Sequence, residues 1–112
     1  MTPIYDRTDA IARLGGDAEL FAAAAAMFVA ESETYRAALK DALATGDAAL
    51  LRREAHTVKS MLATFSYESG RGLAEQLEHL AASGSLDGAV ELSAQVVNAV
   101  KCLSVVLRAE MA

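Results

Sequence analysis

Apolar residues recurring at helical spacing, in blocks separated by turns of only a few residues, constrain this chain more than any other feature. The clearest block carries Leu51, Ala55, Val58, Leu62 and Phe65 at steps of 4, 3, 4 and 3, the period that lines one face of an α-helix. Leu73, Leu77 and Leu80 form a second block, and Leu92, Val96, Ala99, Leu103 and Val106 a third. Ahead of them, an Ala-rich stretch from Asp17 to about Thr45 contains no proline and reads as one long helix. Glu31/Tyr35 and Arg36/Lys40 face outward on it, and a bend could enter near Ser32. The punctuation agrees with this division. Gly15-Gly16 closes a short helix over residues 8–14, Asp17 caps the long one with Glu19 in its first turn, and Gly46 stops it. Asp47 caps the next helix, which ends near Ser66; the third block stops at Ser83-Gly84, and the last helix starts at about Leu86.

Links this short force consecutive helices to lie side by side. The expected fold is therefore all-α, an antiparallel up-down-up-down four-helix bundle with the 8–14 helix as a lid on one end. Composition points the same way: 25 of 112 residues are alanine, proline occurs once, tryptophan is absent and aromatics reach 5%, a mix suited to helices and not to a β-sandwich. No linker-like stretch divides the chain, so residues 1–112 read as one domain with its core over about 8–110. The net charge of −5 and the lack of any long basic stretch argue against nucleic-acid binding. The longest uninterrupted apolar run, residues 20–30, spans 11 residues, against roughly 20 for a bilayer crossing, so no membrane span is expected. One cysteine, Cys102, cannot form an intrachain disulfide, and the charged residues 1–13 do not resemble a secretory signal. A reducing, cytoplasmic setting is expected.

Placed on a helical wheel at about 100° per residue, the Leu51 to Phe65 stripe falls within roughly 40° of its mean direction. Arg52, His56, Lys59, Ser60 and Ala63 occupy the strip between about 80° and 180°. His56 thus points away from the core, with Arg52 and Lys59 supplying positive charge and small residues at Ser60 and Ala63. An imidazole so placed is open to a macromolecule, is nucleophilic at neutral pH and has cations ready for an incoming anion. Position alone assigns no function, since a histidine on a charged helix face is commonly a solvated residue. His79 lies on the surface of the third bundle helix, with no cysteine or histidine cluster beside it, and HExxH is absent. Cys102 reads as a partly buried small hydrophobe. No Ser-His-Asp arrangement, Walker loop or dinucleotide fingerprint is present: Gly15-Gly16 lacks the flanking strand, the third glycine and the following lysine.

Ala55-His56-Thr57-Val58-Lys59-Ser60 resembles the AH(S/T)LKG(S/A) signature of histidine-containing phosphotransfer (HPt) domains of two-component phosphorelays. Upstream, residues 11–20 are similar to the family's LGGDxxL lead-in, and Leu43-Ala44-Thr45-Gly46-Asp47 to the AxxxGD turn before its histidine helix. Downstream, Leu73-Ala74-Glu75-Gln76-Leu77-Glu78 and Ser83-Gly84-Ser85 align without gaps to LxxxLE and xxGd. The resemblance spans about residues 8–110. It implies that His56 is the phosphoacceptor and Lys59 the lysine that helps hold the phosphoryl group, with Arg52 as further positive charge. The partners it implies are response-regulator receiver domains and a sensor, possibly hybrid, histidine kinase. No cofactor is implied for this chain, because the divalent metal belongs to the receiver.

Glu78, on the adjacent antiparallel helix, is a candidate to hold the second ring nitrogen of His56. Ala63 with Phe21, Met27 or Phe28 would supply an apolar docking surface around the site. Two positions depart from the family pattern. Ser60 stands where glycine is usual, which either narrows the set of partners or lends the phosphoryl a hydroxyl, without abolishing access to the imidazole. Ser66-Tyr67 replaces a Gly-Ala pair, and Gly70 takes the next apolar position, so an irregular turn is expected before the third bundle helix. The rival readings are an adaptor bundle that never carries phosphate, and a kinase dimerisation domain. The latter needs two chains and an adjoining ATP-binding domain, whereas four helices in one chain favour a monomer.

Overall fold

The computed structural model describes residues 3–111; Met1, Thr2 and Ala112, which the sequence assigns to the same domain, lie outside the described residues. Five helices follow in order: α1 Arg7–Arg13, α2 Ala18–Thr45, α3 Ala48–Thr64, α4 Glu68–Ala82 and α5 Ala89–Met111. No strand occurs among the described residues. The starts of α1, α2 and α3 are written in side-chain oxygens. Asp6 accepts from the Asp9 amide, Asp17 from the Glu19 and Leu20 amides, and Asp47 from the Leu50 amide, each at 3.0 Å, which satisfies amides that have no carbonyl partner in a first helical turn. Gly46 ends α2 at φ 70°, a conformation glycine adopts without steric cost.

The turn from α3 to α4 departs from the glycine rule. Ser66 takes φ 53°, and the bonds Ser66 N–H to Ala63 O and Tyr67 N–H to Leu62 O, both 3.0 Å, make the Schellman pattern that ordinarily ends in glycine. The strain is tolerated because α1 holds the residue: the Ser66 hydroxyl donates to Asp9 Oδ2 at 2.5 Å and the Asp6 amide to Ser66 O at 3.2 Å. Gly70 compensates on the α4 side. A Cβ there would lie 2.9 Å from Tyr67 Cε2 and 3.0 Å from Leu62 Cδ1, so the missing side chain leaves room for the Tyr67 ring. The expected irregular turn is thus one left-handed serine pinned by α1.

α2 packs on α3 and α5, and α4 on α3 and α5. The core between them contains Leu39, Leu51, Leu62, Leu77, Val96, Leu103 and Leu107, all essentially inaccessible. At the α1 end it becomes aromatic. Tyr5 stacks on Phe21, and Phe21 and Phe28 meet Phe65 edge-on at 5.9 and 5.3 Å, which seats α1 across that end.

Several expectations need correction. α5 begins at Ala89, not near Leu86, because Ser85 accepts from the Asp87 amide and Gly88 takes φ 81°, leaving residues 85–88 as turns. The α4 core face is Gly70, Ala74, Leu77 and Ala81, with Leu73 and Leu80 at its edge. Arg36 and Tyr35 are not outward: both are partly buried, Tyr35 against Phe28 at 6.1 Å. Ser32 does not interrupt α2; it is buried, donates to Val29 O at 3.2 Å and pairs with the Ser104 hydroxyl of α5 at 3.1 Å. α5 is long and apolar enough to cross a membrane, with a mean hydropathy of 1.5, although no single run of the sequence suggested it. Its buried face, including Val96, Val100, Leu103 and Leu107, is consumed by the core, as for the central helix of any bundle.

Candidate functional site

α3 presents Leu51, Ala55, Val58 and Leu62 to the core, which turns His56 outward with 59% of its side chain accessible. The neighbouring helix α4 presents Ala74, Leu77 and Ala81 to the core, which leaves Glu78 at the α3–α4 seam with 13% accessible. Packing of two amphipathic faces therefore brings together residues that are 22 apart in the chain. Glu78 Oε2 lies 2.8 Å from His56 Nδ1 and Oε1 lies 2.6 Å from Lys59 Nζ. One carboxylate thus holds both the imidazole and the ammonium of the His56–Lys59 turn.

The Lys59 ammonium, and after it the His56 ring, holds the Glu78 carboxyl below the usual carboxylate range against the opposing effect of burial. Glu78 is accordingly an anion at neutral pH, an acceptor only, so Nδ1 carries the proton and Nε2 presents its lone pair. Nε2 is the free edge of an exposed ring. Beside it is an open depression of about 360 Å³ lined by Ala49, Arg52, Arg53, His56 and Glu78. A larger hollow of about 700 Å³ at the α1 end, lined by Tyr5, Ser66 and Glu110 among others, touches none of these residues.

The expected site residues are therefore partly assembled. His56, Lys59, Glu78 and Arg52 share one surface; Ser60 is exposed one turn beyond His56, and Ala63 is half-buried further along the same strip. Phe21 and Phe28 do not join it, because both are buried in the aromatic core, whereas Met27 is 62% exposed. Helix α2 needs those two rings to close the bundle against Phe65, so only Met27 of the three remains on the surface. Arg53, which reads from the sequence as an ordinary solvated charge, also borders the depression; its position three residues before His56 was the signal. The direct Lys59–Glu78 pair was also not foreseen. His79 is exposed and Cys102 half-buried, as expected. Among the described residues no group of three or more His, Cys, Asp or Glu is placed to hold a metal ion.

The sequence profile of the Hpt domain matches residues 23–111. The chain belongs to the Hpt family. Hpt domains are phosphocarrier modules of two-component signalling that work with histidine kinases and response regulators. The fold is similar to that of the crystal structure of histidine-containing phosphotransfer protein B (HptB) from Pseudomonas aeruginosa PAO1, with a TM-score of 0.86 and 24% identity over 98% of this chain and 96% of that one. No curated protein sequence matches the chain significantly. The Hpt match begins within α2, so α1 stands before the matched residues.

Proposed function

We propose that this Hpt chain is a phosphorelay intermediate whose His56 accepts a phosphoryl group from a receiver aspartate or a sensor histidine kinase and passes it to a response-regulator receiver aspartate. The observation that carries the reading is the Glu78 carboxylate on Nδ1, which leaves Nε2 as the only nucleophilic nitrogen of an exposed ring. In the transfer, the Nε2 lone pair attacks phosphorus of the donor's aspartyl phosphate. The N–P bond forms as the P–O bond to the aspartyl carboxylate breaks, and the electron pair leaves with that carboxylate. Nδ1 keeps its proton, and Glu78 balances the positive charge of the phosphorylated ring. The onward step is the same displacement reversed, with the second aspartate as nucleophile.

Lys59 and Arg52 offset the charge of the bound phosphoryl group. Ser60, Ala63 and the exposed Met27 provide the docking strip. No cofactor is required of this chain, since the divalent metal that neutralises the phosphoryl in flight belongs to the receiver. The scaffold under this reading is a monomeric, antiparallel up-down-up-down arrangement of α2 to α5, supported by the short connections and the pairwise helix contacts. The reading places the chain in the cytoplasm, where a lone half-buried thiol stays reduced.

The test is a panel of purified phosphorylated receivers incubated with the wild type and with His56→Gln. The expected result is an acid-labile, base-stable label on the wild type and none on a normally folded His56→Gln. Retained label in the variant moves the acceptor elsewhere, and an unlabelled wild type leaves an interaction bundle that binds its partners without carrying phosphate.

A further inference from the structure

The chain has ten Lys and Arg side chains, and among the described residues four are ion-paired: Arg7, Arg13, Lys59 and Arg71. Of the other six, Arg52 and Arg53 border the depression at His56. Arg36, Lys101 and Arg108 meet elsewhere, on a cleft of about 310 Å³ between α2 and α5. Three unpaired cations side by side repel one another, and the phosphotransfer reading gives them no task. Glu33 lines the cleft as well, yet it forms no ion pair with Arg36. Arg36 Nε is shielded from solvent and has no hydrogen-bond partner, a donor that has lost water and gained nothing in exchange. The floor beside it is the buried Ser104 hydroxyl paired to Ser32.

We propose that this α2–α5 cleft is an oxyanion-binding site, separate from the His56 surface on α3 and α4. Two oxygens of a phosphate or carboxylate would take the outer guanidinium N–H groups of the partly buried Arg36, the two-pronged contact that arginine makes and lysine cannot, with the shielded Nε–H behind them. Lys101 and Arg108, both exposed on α5, close over the anion from the rim as mobile charges.

Thermal unfolding with added sodium phosphate, sodium acetate or sodium chloride at matched ionic strength tests the site. A ligand that binds only the folded state raises the midpoint, on the order of 5 °C at ten times its Kd. The expected result is a rise with phosphate or acetate that chloride does not reproduce; the larger of the two identifies a phosphate or a carboxylate as the natural group. Arg36→Met abolishes the rise, and the double variant Lys101→Gln/Arg108→Gln, on exposed positions, lowers the affinity several-fold should Arg36→Met fail to fold. Lys40→Gln, at an exposed cation that lines neither this cleft nor the His56 depression, leaves the rise intact. An undiminished rise in the α2–α5 variants, or an equal rise with chloride, overturns the proposal.

Discussion

Glu78 bridges His56 and Lys59 with a single carboxylate, so its loss has two consequences at once. In Glu78→Ala both tautomers of the ring become populated, and Lys59 is released from its anion. Transfer from a phosphorylated receiver is expected to slow by about ten-fold or more, and nitrogen chemical shifts of the imidazole would report the mixed tautomers. Glu78→Gln keeps a neutral acceptor for Nδ1–H and falls between Ala and wild type. The same carboxyl titrates below its ordinary value because of Lys59 and His56. Its folded pKa is depressed, so its contribution to stability is complete above the ordinary value of 4.5 and is lost as pH falls below it. Acid titration of Glu78→Gln should show a correspondingly flatter loss. Ser60 tests the docking strip: it is exposed one turn past His56, so Ser60→Leu should slow transfer strongly with a nearly unchanged thermal midpoint, while Ser60→Gly keeps or raises the rate. Equal rates for Ser60→Leu and wild type would place the partner elsewhere.

At the level of elements, the α3–α4 turn is the place where one residue and a distant helix are coupled. Ser66 is left-handed at a cost of about 1–2 kcal/mol for a residue with a Cβ, and its hydroxyl bond to Asp9 ties α1 to the turn. Ser66→Ala keeps the strain and loses the bond, so it should destabilise by about 1–2 kcal/mol. Ser66→Gly loses the bond but relieves the strain, and should remain within about 1 kcal/mol of wild type. Chemical denaturation of the pair separates these effects; equal losses would show that the backbone conformation carries no cost. The His56 surface lies outside this turn, so transfer rates should stay unchanged in both.

For the whole molecule, stability rests on the apolar interior shared by α2 to α5. Leu103 is wholly buried in α5, and Leu103→Ala should cost about 2–5 kcal/mol, lowering the midpoint by about 10 °C or more. A smaller loss would mean that α5 is not integral to the core despite its packing. The alkaline side has its own limit. Burial and the Glu31 carboxylate push the Tyr35 phenol up to about 12, and burial with Glu110 raises that of Tyr5. Both folded pKa values are raised, so these contributions are full below pH 10 and are lost as pH rises through the folded values. Tyr35→Phe should therefore be less sensitive to pH between about 10 and 12 than wild type.

The sequence alone determined the helices, the Asp17 and Asp47 caps and the outward direction of His56, because hydrophobic period and capping chemistry are local: a residue and its neighbours three or four positions away decide them. The signature around His56 and the order of the four motifs were legible for the same reason. Only the tertiary structure decided which outward residues meet. Lys59 and Glu78 pair because α3 and α4 pack at one register, Phe21 and Phe28 turn inward because Phe65 offers them a core, and Arg36 lies toward α5 with its Nε shielded from solvent. A helical wheel carries no information about the neighbouring helix, and burial of an aromatic or an arginine depends on what that neighbour places opposite it. The left-handed Ser66 follows the same division: its turn was foreseeable from the missing glycine, but the contact that makes it tolerable comes from Asp9, 57 residues away, and exists only in the folded chain.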